Sequence, residues 1–218
     1  MTQIAHQAGS CTRRRIVDVA IRLYREFGYR KTTVADIARG ASMSPANVYR
    51  FFASRRAIEE AVLADLFGQV SEAAAHAARG GGSPLRRLEA VLRTISALLE
   101  DWRAHDGKLH ELMAVAVLGN WLIASSYADR IGALVRSMIS AGQARGELRQ
   151  GSPIVLAGCV IEAMDAYLSP SRSNLAAIGP SFDEMMKFCA GGLLAPTTSE
   201  AVDNCADIVP AAVARTGA

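Results

Sequence analysis

The sequence predicts an all-α protein, on three observations. Apolar residues recur at spacings of three and four along most of the chain, the period of a helix that buries one face. Proline and glycine fall at the edges of these stripes, at Gly28, Pro45, Pro84, Gly146 and Pro153, where helices start and stop. No stretch alternates with the period of two that a half-buried strand needs, and there is no internal repeat. With 218 residues, half of them hydrophobic, the chain can bury a sizeable core.

Taken in order, residues 1–11 read as a loose polar tail. A first helix is expected over 12–27, with Ile16, Val19, Ala20, Leu23, Tyr24 and Phe27 as its apolar stripe. Arg13, Arg14 and Arg15 crowd its start. They oppose the helix macrodipole there, a cost that nearby phosphates would offset; a solvated basic face is the other reading. Gly28 closes the helix as a C′ glycine.

The stretch Thr33 to Phe52 reads as two short helices joined by a tight turn. Thr33 caps the first, Val34 to Ala41, in which Val34, Ile37, Ala38 and Ala41 share a face. Ser42-Met43 makes the turn. Ser44 caps the second helix and Pro45 takes its first position, where the missing N–H costs nothing. Val48 and Phe52 would lock this helix onto the first. Its other faces suit a DNA duplex. Asn47 can bond an adenine edge and Ala46 can touch a thymine methyl, while Tyr49 and Arg50 can reach phosphates.

Ser54 then caps a long helix of 55–78 carrying Ile58, Val62, Leu66 and Val70 on one face. Residues 79–83, RGGGS, break the chain as a flexible joint. Further helices are expected at 84–103, 108–118, 120–145, 153–168 and 182–194, with a long loop at 170–180 and a mobile tail at 196–218. The 153–168 segment is apolar almost all round, as in a central core helix or half of an interface.

Charge is uneven. Residues 1–60 hold 11 Lys and Arg against 5 Asp and Glu, while residues 61–218 hold 13 against 16. An N-terminal module for a polyanion is the implied organisation. The four cysteines, Cys11, Cys159, Cys189 and Cys205, form no CxxC or Cys/His pattern, which argues against a zinc site or a disulfide framework. They read as buried apolar residues or idle thiols. No secretory signal and no apolar run of about 18–20 residues is visible, so a cytoplasmic protein without a membrane span is expected. His110-Glu111 lacks the second histidine of a metalloprotease motif, RGGGS lacks the lysine of a P-loop, and no nucleophile elbow occurs. No catalytic residue, metal or cofactor is assigned.

The ordered set Ile16 to Phe27, Phe27-Gly28-Tyr29, Thr32-Thr33, Ile37-Ala38, Met43 to Tyr49, Phe52 and Ser54-Arg55 leading to Ile58 resembles the TetR family of bacterial transcriptional regulators. The resemblance spans about residues 12–66. It implies an N-terminal three-helix helix-turn-helix domain at 10–70 and a C-terminal helical regulatory and dimerisation domain at 71–195. It further implies a homodimer that binds a double-stranded DNA operator and releases it when a small molecule binds. Carried onto this chain, the DNA-contacting residues would be Thr33, Ser44, Pro45, Ala46, Asn47, Tyr49, Arg50 and Arg55. Arg55 stands where the family often has a phosphate-contacting lysine. Two departures stand out. Ser42 replaces the turn glycine, and Phe51 replaces a frequent histidine, so Phe51 is given no base contact. The helices near 153–168 and 182–194 would pair across a twofold axis.

An effector pocket is expected among the helices of 85–145, with Trp102, Met113, Trp121 and Tyr127 as candidate lining and a small apolar or aromatic effector. The competing reading is a helical small-molecule carrier or enzyme whose basic N-terminus is incidental.

Overall fold

A computed structural model describes residues 2–172 and 179–195, with side chains from residue 9 onward. The described chain forms α1 (Thr2–Phe27), α2 (Val34–Gly40), α3 (Pro45–Tyr49), α4 (Arg55–Ala78), α5 (Pro84–His105), α6 (Gly107–Leu118), α7 (Leu122–Ala144), α8 (Pro153–Ala163), α9 (Asp165–Leu168) and α10 (Phe182–Leu193). Its one β-type pairing is the isolated antiparallel bridge of Leu148 with Leu194. The fold is all-α, as the period of the apolar residues predicts. The expected tail at 196–218 and most of the 170–180 loop lie outside the described residues.

Apart from shifts of a residue or two at helix ends, three features differ from expectation. α1 begins at Thr2, so residues 2–11 are helical rather than a tail. No proline interrupts them, and a lone Gly9 costs only about 1 kcal/mol in a helix that is already nucleated. Phe27, placed in the apolar stripe, is 51% exposed. Gly28 (φ 87°) turns the chain immediately after it, and the Thr32 hydroxyl fixes that turn by donating to the Gly28 carbonyl at 2.9 Å. Tyr29 thereby swings in against Tyr24, ring edge to face at 6.5 Å, and fills the position the stripe assigned to Phe27. The 153–168 helix is broken at Met164, which is fully buried. The short α9 beyond it aims Leu168 into the core.

One contiguous core runs from Ile16 of α1 to Leu193 of α10. α4 is its spine. It starts six residues after α3 ends, packs on α1, α5 and α7, and passes unbroken through the expected boundary at residues 70/71. The angle between α6 and α7 is 87°. The corner is Gly119-Asn120, with Asn120 at φ 50°, a conformation asparagine tolerates better than most side chains. No single described helix is long and apolar enough to cross a membrane.

Candidate nucleic-acid interface

The pair α2–α3 is built from its ends inward. Thr33 and Asp36 form a reciprocal capping box. The Thr33 hydroxyl accepts from the Asp36 amide at 3.2 Å, and the Asp36 carboxylate accepts from the Thr33 amide at 3.0 Å. These bonds, led by the one from the Thr33 hydroxyl at 2.6 Å, hold the Asp36 carboxyl below its ordinary range. Ser42 makes the turn at φ 55°, so the serine in the glycine position does adopt the left-handed backbone, at a cost of order 1–2 kcal/mol. Ser44 then accepts from the Asn47 amide at 3.2 Å, and Pro45 opens α3.

α3 is only five residues long, too short to persist on its own. Val48 and Phe52, both essentially inaccessible, pin its inner side onto α2 and the core. That leaves an outer face made of Ser44, Pro45, Ala46, Tyr49 and Arg50, all exposed, with Asn47 half-buried beside them. Tyr49 is 50% exposed. The Asn47 side chain makes no hydrogen bond among the described residues, so its amide is available to a base edge. Phe51 is half-buried against the core, in keeping with its exclusion from base contact.

Two expected phosphate contacts are otherwise engaged. Both donors of Thr33, the hydroxyl and the amide, bond the Asp36 carboxylate, and that negative charge disfavours a phosphate alongside. Thr33 is therefore a capping residue here. Arg55 gives its Nε to Glu59 at 2.9 Å and an Nη to the Tyr29 carbonyl. Glu59 is 8% exposed and needs that cation, because a buried carboxylate without a partner is strongly destabilising. Arg55 thus ties α4 to the turn after α1, with its side chain still 39% exposed. Of the arginine triplet, Arg13 bonds the Phe51 carbonyl and Arg14 bonds Asp18 and Asp65. Only Arg15 has no such bond among the described residues. The partners Tyr29, Phe51 and Asp65 lie 26 or more residues from their arginines, beyond the reach of local sequence reasoning.

A cavity of about 210 Å³ opens between α5, α7, α8 and α9. Of the four residues expected to line it, only Tyr127 does so. Met113 is fully buried in the core, Trp102 packs against the core from the surface, and Trp121 lies under the Arg56 guanidinium. The walls are instead Ile95, Val117, Ala124, Ile131 and Ile161, with Asn120, Ser125, Asp165 and Ser169 supplying polar groups. Their place on the helices of 85–145 suggested the tryptophans, but large side chains fill space in a close-packed interior. The cavity touches α4 through Tyr127, which stacks on Phe67 at 4.6 Å and 19°. A second contact is next door, since Trp121 adjoins the wall residue Asn120 and meets Arg56 in the first turn of α4. α8 and α10 leave Ile154, Val155 and Phe188 at 61–75% exposure, which excludes 153–168 as a wholly central core helix.

Comparison with known proteins follows the same division. The family described as bacterial regulatory proteins, tetR family, matches residues 16–62. The family described as tetracyclin repressor-like, C-terminal domain, matches residues 84–176. The transcriptional regulator BetI of Rhizobium meliloti is 31% identical over 81 residues, which cover 37% of this chain and 40% of that relative. The chain thus matches less than half the length of that curated relative. FadR from Bacillus subtilis, solved in complex with stearoyl-CoA, superposes with a TM-score of 0.59 at 15% identity over 82% of this chain and 97% of that one. AibR, solved with isovaleryl coenzyme A and operator DNA, gives 0.53 at 17% identity over 85% and 100%. At such identities the two structures speak to the fold.

Proposed function

The chain belongs to the TetR family of bacterial transcriptional regulators, and from that premise we propose that it is a homodimeric, cytoplasmic repressor that binds a DNA operator and leaves it when an effector fills the cavity. The observation that carries this reading is the outer face of α3, where Pro45, Ala46 and Tyr49 stand exposed beside Asn47 while Val48 and Phe52 hold the helix from within. Asn47 reads an adenine, Ala46 and Pro45 meet thymine methyls, and Ser44, Tyr49, Arg50 and Arg15 bond phosphates. The division at 10–70 and 71–195 is functional rather than a gap in packing, since α4 belongs to both parts.

The exposed apolar faces of α8 and α10 are the surfaces for a second copy, placing two reading heads about one DNA turn apart, ~34–36 Å. The effector is a small apolar group, an acyl chain or an aromatic ring. An apolar cavity of ~150 Å³ already holds benzene, and 210 Å³ leaves room for slightly more. The coenzyme A esters solved with FadR and AibR favour the acyl chain of the two. Its insertion would shift Tyr127 and, through Phe67, the spine that carries the reading head. Ligand then acts by favouring dimers with the wrong spacing.

The test begins with duplexes selected from random sequence by the purified protein. Asn47→Ala is expected to weaken the selected duplex by about 1–3 kcal/mol and leave nonspecific binding in place. An equal loss on both kinds of duplex defeats base reading by Asn47. Titration of the complex with acyl and aromatic compounds then asks for release.

A further inference from the structure

Arg13 holds the far end of the recognition helix. Its Nη1 donates to the Phe51 carbonyl at 2.6 Å, and its guanidinium carbon lies 4.1 Å over the centroid of the Phe52 ring. The two contacts address the weakest part of the reading head. α3 ends at Tyr49 after five residues, and Ser44 caps only its other end; the amides of Arg50, Phe51 and Phe52 take the Asn47 and Val48 carbonyls, and the Phe51 carbonyl just beyond is left to Arg13. Arg13 comes from α1, 38 residues earlier. α1 is itself fastened to α4 next door, where Arg14 pairs with Asp65. The planar, forked guanidinium suits this double duty, since one edge donates while the face covers an aromatic ring; a lysine ammonium cannot do both.

We propose that Arg13 is a positioning residue for operator recognition, fixing the angle at which α3 presents Asn47 and Tyr49, and that it does not serve as a phosphate contact. The proposal rests on the reading of α3 as the DNA-reading element. Charge and position are separable by experiment. A phosphate contact contributes a slope of about −0.9 to the dependence of log affinity on log salt, and a lysine supplies it nearly as well as an arginine. A positioning contact leaves the salt slope alone, lowers the ratio of specific to nonspecific affinity, and is not restored by lysine.

The test compares the full chain with R13K, R13A and, as the charge control, R15A. Binding is measured on the selected duplex and on a scrambled one over a range of salt, beside amide exchange of the DNA-free proteins. R13K and R13A should each lose about tenfold or more on the selected duplex, with an unchanged slope on the scrambled duplex and faster exchange at the amides of Phe51 and Phe52. R15A should lower the slope on both duplexes. Recovery of affinity in R13K, or a slope reduced by about one contact in R13A, overturns the proposal in favour of a simple charge role. Unaltered exchange at Phe51 and Phe52 overturns it as well. R13K keeps the charge and the helix propensity, so it reports even if R13A fails to fold. If the unaltered protein binds no duplex, the DNA reading fails, and the exchange data still decide whether Arg13 restrains α3.

Discussion

The short helices of the reading head and most of the helices around the cavity begin differently. In the head, α2, α3 and α4 each start with a side chain that accepts a first-turn amide, from Thr33, Ser44 and Ser54 at 3.1–3.2 Å. Around the cavity, Ser83 caps α5, but α7, α8 and α9 have no side-chain cap, nor does α6, which contributes Val117. Even Ser152, at the start of α8, leaves its hydroxyl out of the cap, and Asp106, before α6, gives its carboxylate to Arg25 at 2.6 and 2.9 Å. The head consists of short helices that need their ends fixed, and directional polar bonds fix them. The cavity walls are held by apolar contact, which is non-directional. Walls held this way have few directional bonds to break when they shift around a ligand, whereas the head is braced at its helix ends.

The largest expected effects come from removing packing on each side of this contrast. Phe52→Ala should cost about 3–5 kcal/mol in chemical unfolding and abolish duplex binding even where the protein remains folded, because Phe52 is half of the anchor under α3. Met113→Ala, equally buried but in α6, should cost about 2–5 kcal/mol and leave duplex affinity unchanged at temperatures where the variant is folded. Comparable losses of DNA binding in the two variants would show that the head does not hold its shape independently of the cavity walls.

Smaller and sharper is a comparison between serines in the same helix position. Ser44→Ala should cost about 1 kcal/mol, since it leaves the Asn47 amide without its acceptor. Ser152→Ala should stay within about 0.5 kcal/mol, as for an ordinary surface change. Urea unfolding of the two variants measures both. Equal costs would erase the distinction between a pinned head and an unpinned body.

The same distinction explains what could be read from the residues alone. Thr33, Ser44-Pro45 and Ser54 announce their helices within four positions, so the head was legible down to its caps, and Ser42 could be singled out as the strained turn residue. α3's inner and outer faces followed from Val48 and Phe52. Phe27 was misplaced because periodicity cannot show that Gly28 turns the chain and lets Tyr29 take the inner position. Arg13, Arg14 and Arg55 looked free because Phe51, Asp65 and Tyr29 are far from them in sequence. The cavity was the least legible feature. It is a place where packing fails among four helices, and the small residues that leave it open, Ala124 and Ser125 among them, carry no signal of their own. The tryptophans lie on helices of the right region, but their bulk closes cavities.

A last comparison separates the two regions by pH. His110 on α6 is 7% exposed, and its Nε2 has no hydrogen-bond partner. Burial lowers its pKa from 6.5, Arg103 adds to the lowering, and Glu100 partly offsets it. Below about 6.5 the unfolded chain therefore takes up a proton that the folded chain resists, so stability falls as the solution is acidified, by at most about 1.4 kcal/mol per pH unit. In the head, the Asp36 carboxyl is depressed by its bonds from Thr33. Its contribution is complete above its unfolded value and disappears only as pH drops through the lower folded one. Acid should thus weaken the body first, between pH 7 and about 5, and the cap of α2 only in the carboxylate range. Unfolding free energies of the wild type and His110→Leu across that span measure the first step. The wild type should lose stability where the leucine variant stays level, and parallel curves would show that the imidazole takes up its proton as readily in the folded chain as in the unfolded one.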